Sequence, residues 1–593
     1  MIIKILLSIL LLVFVADAYQ FKNGLDELNL GNIKKARDIF CNINEHSIFY
    51  EYADYYCTVL SAVDGNIKIS EKKPKLAVEH YKFFFISKFY LNKNPKISYK
   101  FFKKIDKKAL HKDDLPEYFF LKYKLEGTIS SLKKLIIDYA FDDIYAFPLL
   151  DENLKKLSEK DIYKAIDKMI SHRKFDNALK ILEKLKDTDK KFFYKTSLLL
   201  KKRKYSDAEN TFYLIKKSSK YYPIGLYKLT IGLKNIKKQK YYFSKLEKTS
   251  NQRLIAKARY ILMKKSFFKE KWDYFKFFSK DISKNSPYYK EKIWLEILYK
   301  YKTKDYIGAY LLLQDKKNLF SKSKVNYWLY LISKKAKLKN SLQFLKLASA
   351  TKSLDFYTLY AKKRLLKLDV QKVSFSLKHK QPSDKRLKLI KNLKDLKLYK
   401  WAYIEGKYIL KKESDINSII KLYYALPELT AKKLALKGFT YESFPKPFKI
   451  PVYAKFQNFE ELVFAVMRQE SFFDYYAVSP SNAIGLMQII PPTARWIAKV
   501  RNKDLTNINL LFNPEVNIDF GSWYLGYLLK MFNNNIFYAV SSYNAGQGAV
   551  KKFLKGKNFT DIAEFIEFFP YEETRNYVKK VVRNYFIYKY LVK

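Results

Sequence analysis

Four segments spread along the chain repeat one pattern: GNIKKARDIF (31–40), RKFDNALKIL (173–182), RKYSDAENTF (203–212) and KDYIGAYLLL (304–313). Each carries an apolar or aromatic residue followed three positions later by Ala, a spacing that puts both side chains on one face of a helix. The second and third copies start 30 residues apart, room for one helix pair. A pair that short cannot bury its apolar side alone and must stack on its neighbours. With only 15 Gly and 16 Pro in 593 residues, the chain lacks the turn formers that a β architecture needs. The expected fold class is all-α.

The nearest known period is the tetratricopeptide repeat of about 34 residues, and these copies are irregular by comparison. The expectation is therefore an irregular, tetratricopeptide-like helical superhelix over residues 19–386, with linker helices over 387–440. YESFPKPFKIPVY (441–453) has three Pro and no helical period, so a Pro-containing linker is placed at 441–451 and a separate domain at 452–593. At the other end, MIIKILLSILLLVFVADA has Lys4, an apolar run from Ile5 to Val15 and then Ala16-Asp17-Ala18. This reads as a secretory signal peptide, residues 1–18, cut after Ala18; the alternative is an uncleaved anchor. The run is short for a membrane span, and no other apolar stretch approaches that length, so no span is expected after signal removal. The implied location is the periplasm.

The net charge of +57 raises the question of nucleic acid. From Val452 onward 17 Lys and Arg stand against 12 Asp and Glu, so the excess belongs to the helical array. A basic surface attracts polyanions of any kind. No zinc finger, RNP-like motif or Gly-rich phosphate loop supports nucleic-acid recognition. A/T-rich codons also favour the Lys, Ile, Asn, Tyr and Phe that abound here. Five His and two Cys, without HExxH or CxxC, leave no metal pattern, and no cofactor is expected. Cys41 and Cys57 either bridge neighbouring helices or pack as small thiols; the spacing does not decide between them.

One stretch carries chemistry. Asn458 with Glu461 three residues on resembles a capping box, predicting a helix from Phe459 to about Phe472. Phe459, Leu462, Val463, Val466 and Met467 fall on one stripe, and the next position on it is Glu470. A carboxyl group against apolar walls has a raised pKa and keeps the proton that a general acid needs. The bland alternative is a surface charge at a helix end. The following AVSPSNAIGLMQIIPPTA has the Ser, Pro, Asn and Gly of a turn that returns over that end.

RQES (468–471), GLMQ (485–488), SYNAG (542–546) and PYEETRNYV (570–578), in that order and with NPEVNI and GSWYL between, resemble the soluble lytic murein transglycosylase family. The resemblance covers Val452 to the C-terminus. It departs at Asn482, where Gly is usual, at Ile490, where many members have Met, and at Ser542, where Ala is usual. It implies a lysozyme-like α-helical catalytic domain behind a helical superhelix. It also implies cleavage of the β-1,4 bond between N-acetylmuramic acid and N-acetylglucosamine in peptidoglycan, leaving 1,6-anhydro ends. Glu470 is then acid and afterwards base, while Ser479, Met487, Gln488, Ile490, Tyr543, Asn544 and Glu573 contact substrate. Arg575 is expected to tie helices, and Asp474 to brace the loop. The partners implied are peptidoglycan glycan strands, with cell-wall synthesis or division proteins on the array. Two other readings stay open at this point: a lysozyme-like hydrolase needing a second carboxylate, Asp474 or Glu573, and a scaffold that binds glycan without turnover.

Overall fold

A computed structural model describes residues 18–65, 74–365, 384–412, 415–438, 442–453 and 456–590. Of the expected signal peptide, residues 1–17 lie outside the described residues, and Ala18 begins a helix over 18–29. The chain is all-α: among the described residues the only β pairing is two isolated bridges, Val478 to Ile484 and Ile484 to Ile489. No helix among the described residues is long and apolar enough to cross a membrane. The chain divides into two compact units assembled from separated stretches. One comprises 1–173, 375–449 and 470–518; the other comprises 174–374, 450–469 and 519–593.

The repeated pattern is a helix pattern in every copy. Ala36, Ala178, Ala208 and Ala309 lie in the helices Ile33–Cys41, Phe175–Glu183, Tyr205–Tyr213 and Tyr306–Asp315, and all four are fully buried. A side chain larger than methyl at these positions would hold the paired helices apart. The turns between paired helices repeat too. Arg203 (φ 62°), Glu270 (φ 54°) and Lys304 (φ 66°) take the left-handed conformation, two residues before the next helix begins. After each, an N–H reaches back five residues: Lys204 to Leu199 (2.9 Å), Lys271 to Ser266 (2.9 Å) and Asp305 to Lys300 (2.8 Å). These are Schellman closures with a charged residue where Gly is usual, which is how a chain so poor in Gly still turns its helices.

In the second unit, Asp189–Lys201 packs on Tyr221–Gly232, which packs on Gln252–Phe268 and that on Tyr289–Lys302, each with a partner helix alongside. The array reaches the C-terminal region through three buried acids spaced three apart. Asp561 accepts from Tyr327 (2.9 Å) and pairs with Arg364; Glu564 accepts from Tyr301; Glu567 accepts from Tyr357 (2.6 Å), Trp294 (3.0 Å) and Lys579 (2.8 Å). Glu564 and Glu567 lie on the helix Ile562–Phe568, and Asp561 caps it. Burial pushes the Glu567 carboxyl up, but the Lys579 and Lys324 ammonium groups outweigh it and hold the group below the usual range.

In the first unit, Cys41 and Cys57 form a disulfide between Ile33–Cys41 and Tyr50–Ser61, with Cα atoms 5.0 Å apart. That closes a loop for which chain entropy contributes about 3 kcal/mol. Helix Tyr399–Lys412 packs on Ala77–Tyr90. Its Glu405, fully buried, accepts from the Tyr52 hydroxyl (2.9 Å) and the Val78 amide (3.1 Å), and burial pushes its carboxyl up. Residues 442–453 hold no helix, although Phe444 is buried.

Candidate active site

The helix bearing RQES runs Phe459–Glu470, two residues short of the expected end. Its apolar stripe is real: Phe459, Leu462, Val463, Val466 and Met467 are all buried, and Glu470, its last residue, is half-buried. Arg468, two residues back on a different face, is buried enough to lower its pKa to about 10, and it donates to Asn584 (3.3 Å). The capping box is a correction. Asn458 has φ 61° and its side-chain oxygen is buried without a partner, so it does not cap the helix. A cap residue takes extended backbone, and the left-handed Asn458 does not meet that geometry.

The stop after Glu470 comes from the backbone. Phe472 (φ 52°) and Phe473 (φ 66°) are both left-handed, a conformation that costs roughly 1–2 kcal/mol for each such residue. Phe473 is fully buried, and that burial holds the turn. Strain of this kind persists where surrounding packing over-determines it, and it concentrates at functional sites. Ser471 ties the turn to the next motif: its hydroxyl donates to the carbonyl of Leu486 in GLMQ (2.8 Å). The residue beside the candidate acid therefore fixes the loop that follows.

That loop is held by one amide. Asn517 of NPEVNI, fully buried, accepts from the Met487 N–H (2.8 Å) and donates to the carbonyls of Ile484 (2.9 Å) and Leu511 (2.8 Å). Gly485, at φ 79°, leaves room for it; a Cβ there would meet the Asn517 side chain and stand 2.5 Å from the Leu511 oxygen. Gln488, φ 49°, donates through its amide nitrogen to Ala477 (3.0 Å) and Gly485 (2.9 Å), leaving its carbonyl as an acceptor. Ser479 accepts from the N–H groups of Ser481 (3.2 Å) and Ala483 (3.0 Å), so its own proton is left to donate. Asn482 has φ 59°, which explains how Asn stands where Gly is usual. Met487 is buried, while Ile490 is 40% exposed at the start of Pro491–Val500.

Asp474 faces the helix Tyr399–Lys412. It accepts from Tyr403 (3.1 Å), lies 3.5 Å from Lys407, and accepts the Tyr476 N–H (3.0 Å). Tyr475 donates to the Tyr399 carbonyl (3.0 Å). Both anchor the turn after Glu470.

Tyr543, Asn544 and Glu573 belong to the other compact unit. Tyr543 and Asn544 close the helix Ile536–Ala545, which packs on Glu572–Tyr590. Asn544 accepts from the Thr574 hydroxyl (2.7 Å), so SYNAG and PYEETR are bonded to each other. The Tyr543 ring sits 5.5 Å from that of Tyr524, and Glu573 is exposed in the first turn of its helix. Arg575 is buried, donates to the Phe569 carbonyl (2.8 Å) and lies over the Phe268 ring at 4.4 Å. Ser542, where Ala is usual, is fully buried and its hydroxyl has no partner. Three residues with structural roles here went unassigned from sequence: Ser471, Asn517 and Thr574. Each lies inside a quoted motif, and that was the available signal. Among the described residues no group of three or more His, Cys, Asp or Glu is placed to hold a metal.

Residues 452–566 match the transglycosylase SLT domain family. The soluble lytic murein transglycosylase of Salmonella typhimurium is 41% identical over 120 residues, 20% of this chain and 19% of that protein. The protein of the same description from Escherichia coli K12 is 38% identical over 130 residues, 22% of this chain and 20% of that one. The chain thus spans about a fifth of the length of these relatives. The crystal structure of the 70 kDa soluble lytic transglycosylase from Escherichia coli aligns over 97% of both chains with a TM-score of 0.64 at 17% identity, which shows the shared fold. Residues 452–566 thus match the transglycosylase SLT domain, and the chain as a whole shares the all-α fold of that solved structure.

Proposed function

We propose that this chain is a peptidoglycan lytic transglycosylase that cleaves the β-1,4 bond between N-acetylmuramic acid and N-acetylglucosamine. The observation that carries the reading is Glu470 itself, a half-buried carboxyl group at the end of a buried apolar stripe. The turn beside it is bonded through Ser471 to the GLMQ loop. In the proposed cycle Glu470 gives its proton to the leaving oxygen as the bond breaks. The substrate's own acetamido group stabilises the oxocarbenium-like carbon. Glu470, now a carboxylate, takes the proton of the C6 hydroxyl, and that oxygen closes the 1,6-anhydro ring. Glu470 ends the cycle protonated, as it began, now by the C6 hydroxyl proton, and no water is consumed.

Ser479, with its hydroxyl proton free, is proposed to donate to substrate, and Gln488, with its amide nitrogen engaged, to accept from it. Met487 and Ile490 would wall the sugars, Tyr543 and Asn544 would orient the acetamido group, and Glu573 would meet the peptide or sugar. The periplasm is the proposed location, with glycan strands as the partner and the helical array as their support. Asp474 favours the one-carboxylate cycle over two-carboxylate hydrolysis, because its oxygens are engaged by Tyr403, Lys407 and the Tyr476 amide.

The test is mass spectrometry of the soluble products after the mature protein digests peptidoglycan. Products lighter than hydrolysed muropeptides by one water are expected. Hydrolysed reducing ends would refute the anhydro cycle, and normal release by Glu470→Gln would refute the assignment of the acid.

A further inference from the structure

A cavity of about 220 Å³ lies between residues 108–112 and the helix Tyr399–Lys412, with Asp474 on its wall. All of it belongs to one compact unit. Its lining is cationic: Lys108, Lys112, Lys407 and Lys411 against the single carboxylate of Asp474. Lys407 spends its charge on Asp474 at 3.5 Å, and Lys411 donates to the Lys108 carbonyl (2.8 Å), a neutral acceptor. Among the described residues no carboxylate lies within ion-pair distance of Lys108 or Lys112, although Asp113 adjoins Lys112. Four ammonium groups around one small space, only one of them neutralised, call for an anion.

A second observation points the same way. His111 lines this cavity and is 8% exposed, packed between the rings of Tyr403 (5.7 Å) and Tyr476 (4.9 Å). Its Nδ1 lies 3.4 Å from the Asp113 N–H and 3.3 Å from the Asp113 carboxylate, and its Nε2 is buried with no hydrogen-bond partner. A buried polar atom left unmatched is costly and asks for a partner. The volume is below that of pockets that enclose a drug-sized ligand. It suits the end group of a chain better than a sugar ring.

We propose that this cavity binds the terminal carboxylate of a wall peptide, held by Lys112 and Lys411, with the unpartnered Nε2 of His111 on its wall. The anionic chemistry rests on the cavity alone; the wall peptide as its source rests on the function proposed above. An anion here also competes with Asp474 for Lys407. Because Asp474 anchors the turn after Glu470, occupancy would bear on how firmly that turn is held.

The test is calorimetric titration of the full-length protein, which needs no turnover. The probes are N-acetyl-D-alanyl-D-alanine as free acid, its C-terminal amide, and inorganic phosphate. The free acid is expected to bind, and the amide and a Lys112→Ala/Lys411→Ala variant to bind at least about tenfold more weakly, the equivalent of one lost charged contact. Equal binding of acid and amide, or unchanged binding by the variant, would overturn the proposal. Phosphate bound as tightly as the acid would mark an unselective anion site and overturn the carboxylate assignment. Circular dichroism of the variant separates loss of the site from loss of the fold. If no muropeptide is released but the acid still binds, the function fails while the cavity's ligand chemistry stands.

Discussion

Asn517→Ala removes one side chain and orphans three backbone groups. Asn517 is fully buried, and its amide is bonded to the Met487 N–H and to the Ile484 and Leu511 carbonyls, all at 2.8–2.9 Å. Each such bond is worth about 1–1.5 kcal/mol net, and no water replaces the lost partners at once, so a loss of roughly 3–4 kcal/mol is expected. Asn517→Asp keeps the oxygen that serves Met487 but turns a second oxygen toward two carbonyl oxygens. It loses two bonds, adds a buried charge and is expected to cost at least as much. The chain holds more than one compact unit, so global unfolding reports on this loop less directly than local exchange does. Hydrogen exchange at the amides of 484–489 is the direct one: either variant should speed exchange of Met487 by about two to three orders of magnitude, the factor that roughly 3–4 kcal/mol implies. Muropeptide release should fall with it while wall binding remains. If Asn517→Ala leaves exchange at Met487 unchanged, the loop does not depend on this amide and the account of the site is wrong.

Gly485→Ala should be at least as harmful as a simple left-handed penalty of about 1–2 kcal/mol, because its Cβ also meets Asn517 and the Leu511 carbonyl; chemical denaturation and loss of release would check it. Ser542→Ala should raise thermal stability, by about 1 kcal/mol, by removing a buried hydroxyl without a partner and restoring the better helix former; a lowered melting temperature would contradict this. Glu567→Gln should cost roughly 3–5 kcal/mol at neutral pH, since Lys579 and Lys324 lose their buried counter-charge. The folded carboxyl titrates below its ordinary value of 4.5, so the folded state binds fewer protons than the unfolded one in that window. Its stabilisation is complete above that value and is lost as pH falls through the folded pKa. Urea unfolding at pH 7 and pH 4 should show the difference between wild type and variant shrinking with acid, and a constant difference would refute the assignment.

The sequence by itself determined what depends on near neighbours in the chain. The repeated spacing of Tyr205 with Ala208 and Tyr306 with Ala309 encodes one helix face, and the structure buries those alanines. The stripe from Phe459 to Met467 likewise placed Glu470 at the end of a buried wall, because a helix brings residues three and four apart together whatever surrounds it. Tertiary structure alone decided whatever needed a partner from far along the chain. Asn458 carried a cap signature but took a left-handed backbone instead, and the helix stopped at Glu470 because burial of Phe473 held a turn that local preference disfavours. Asn517 looked like any Asn in a motif until the loop 30 residues earlier folded onto it. Asp561, Glu564 and Glu567 become a buried anchor only because tyrosines and Trp294 more than 200 residues away donate to them. Cys41 and Cys57 were close enough in sequence to allow a bridge, and only the approach of their two helices made it. A local period states which side chains share a face; it does not name what will cover that face, because the covering group is chosen by packing across the whole chain.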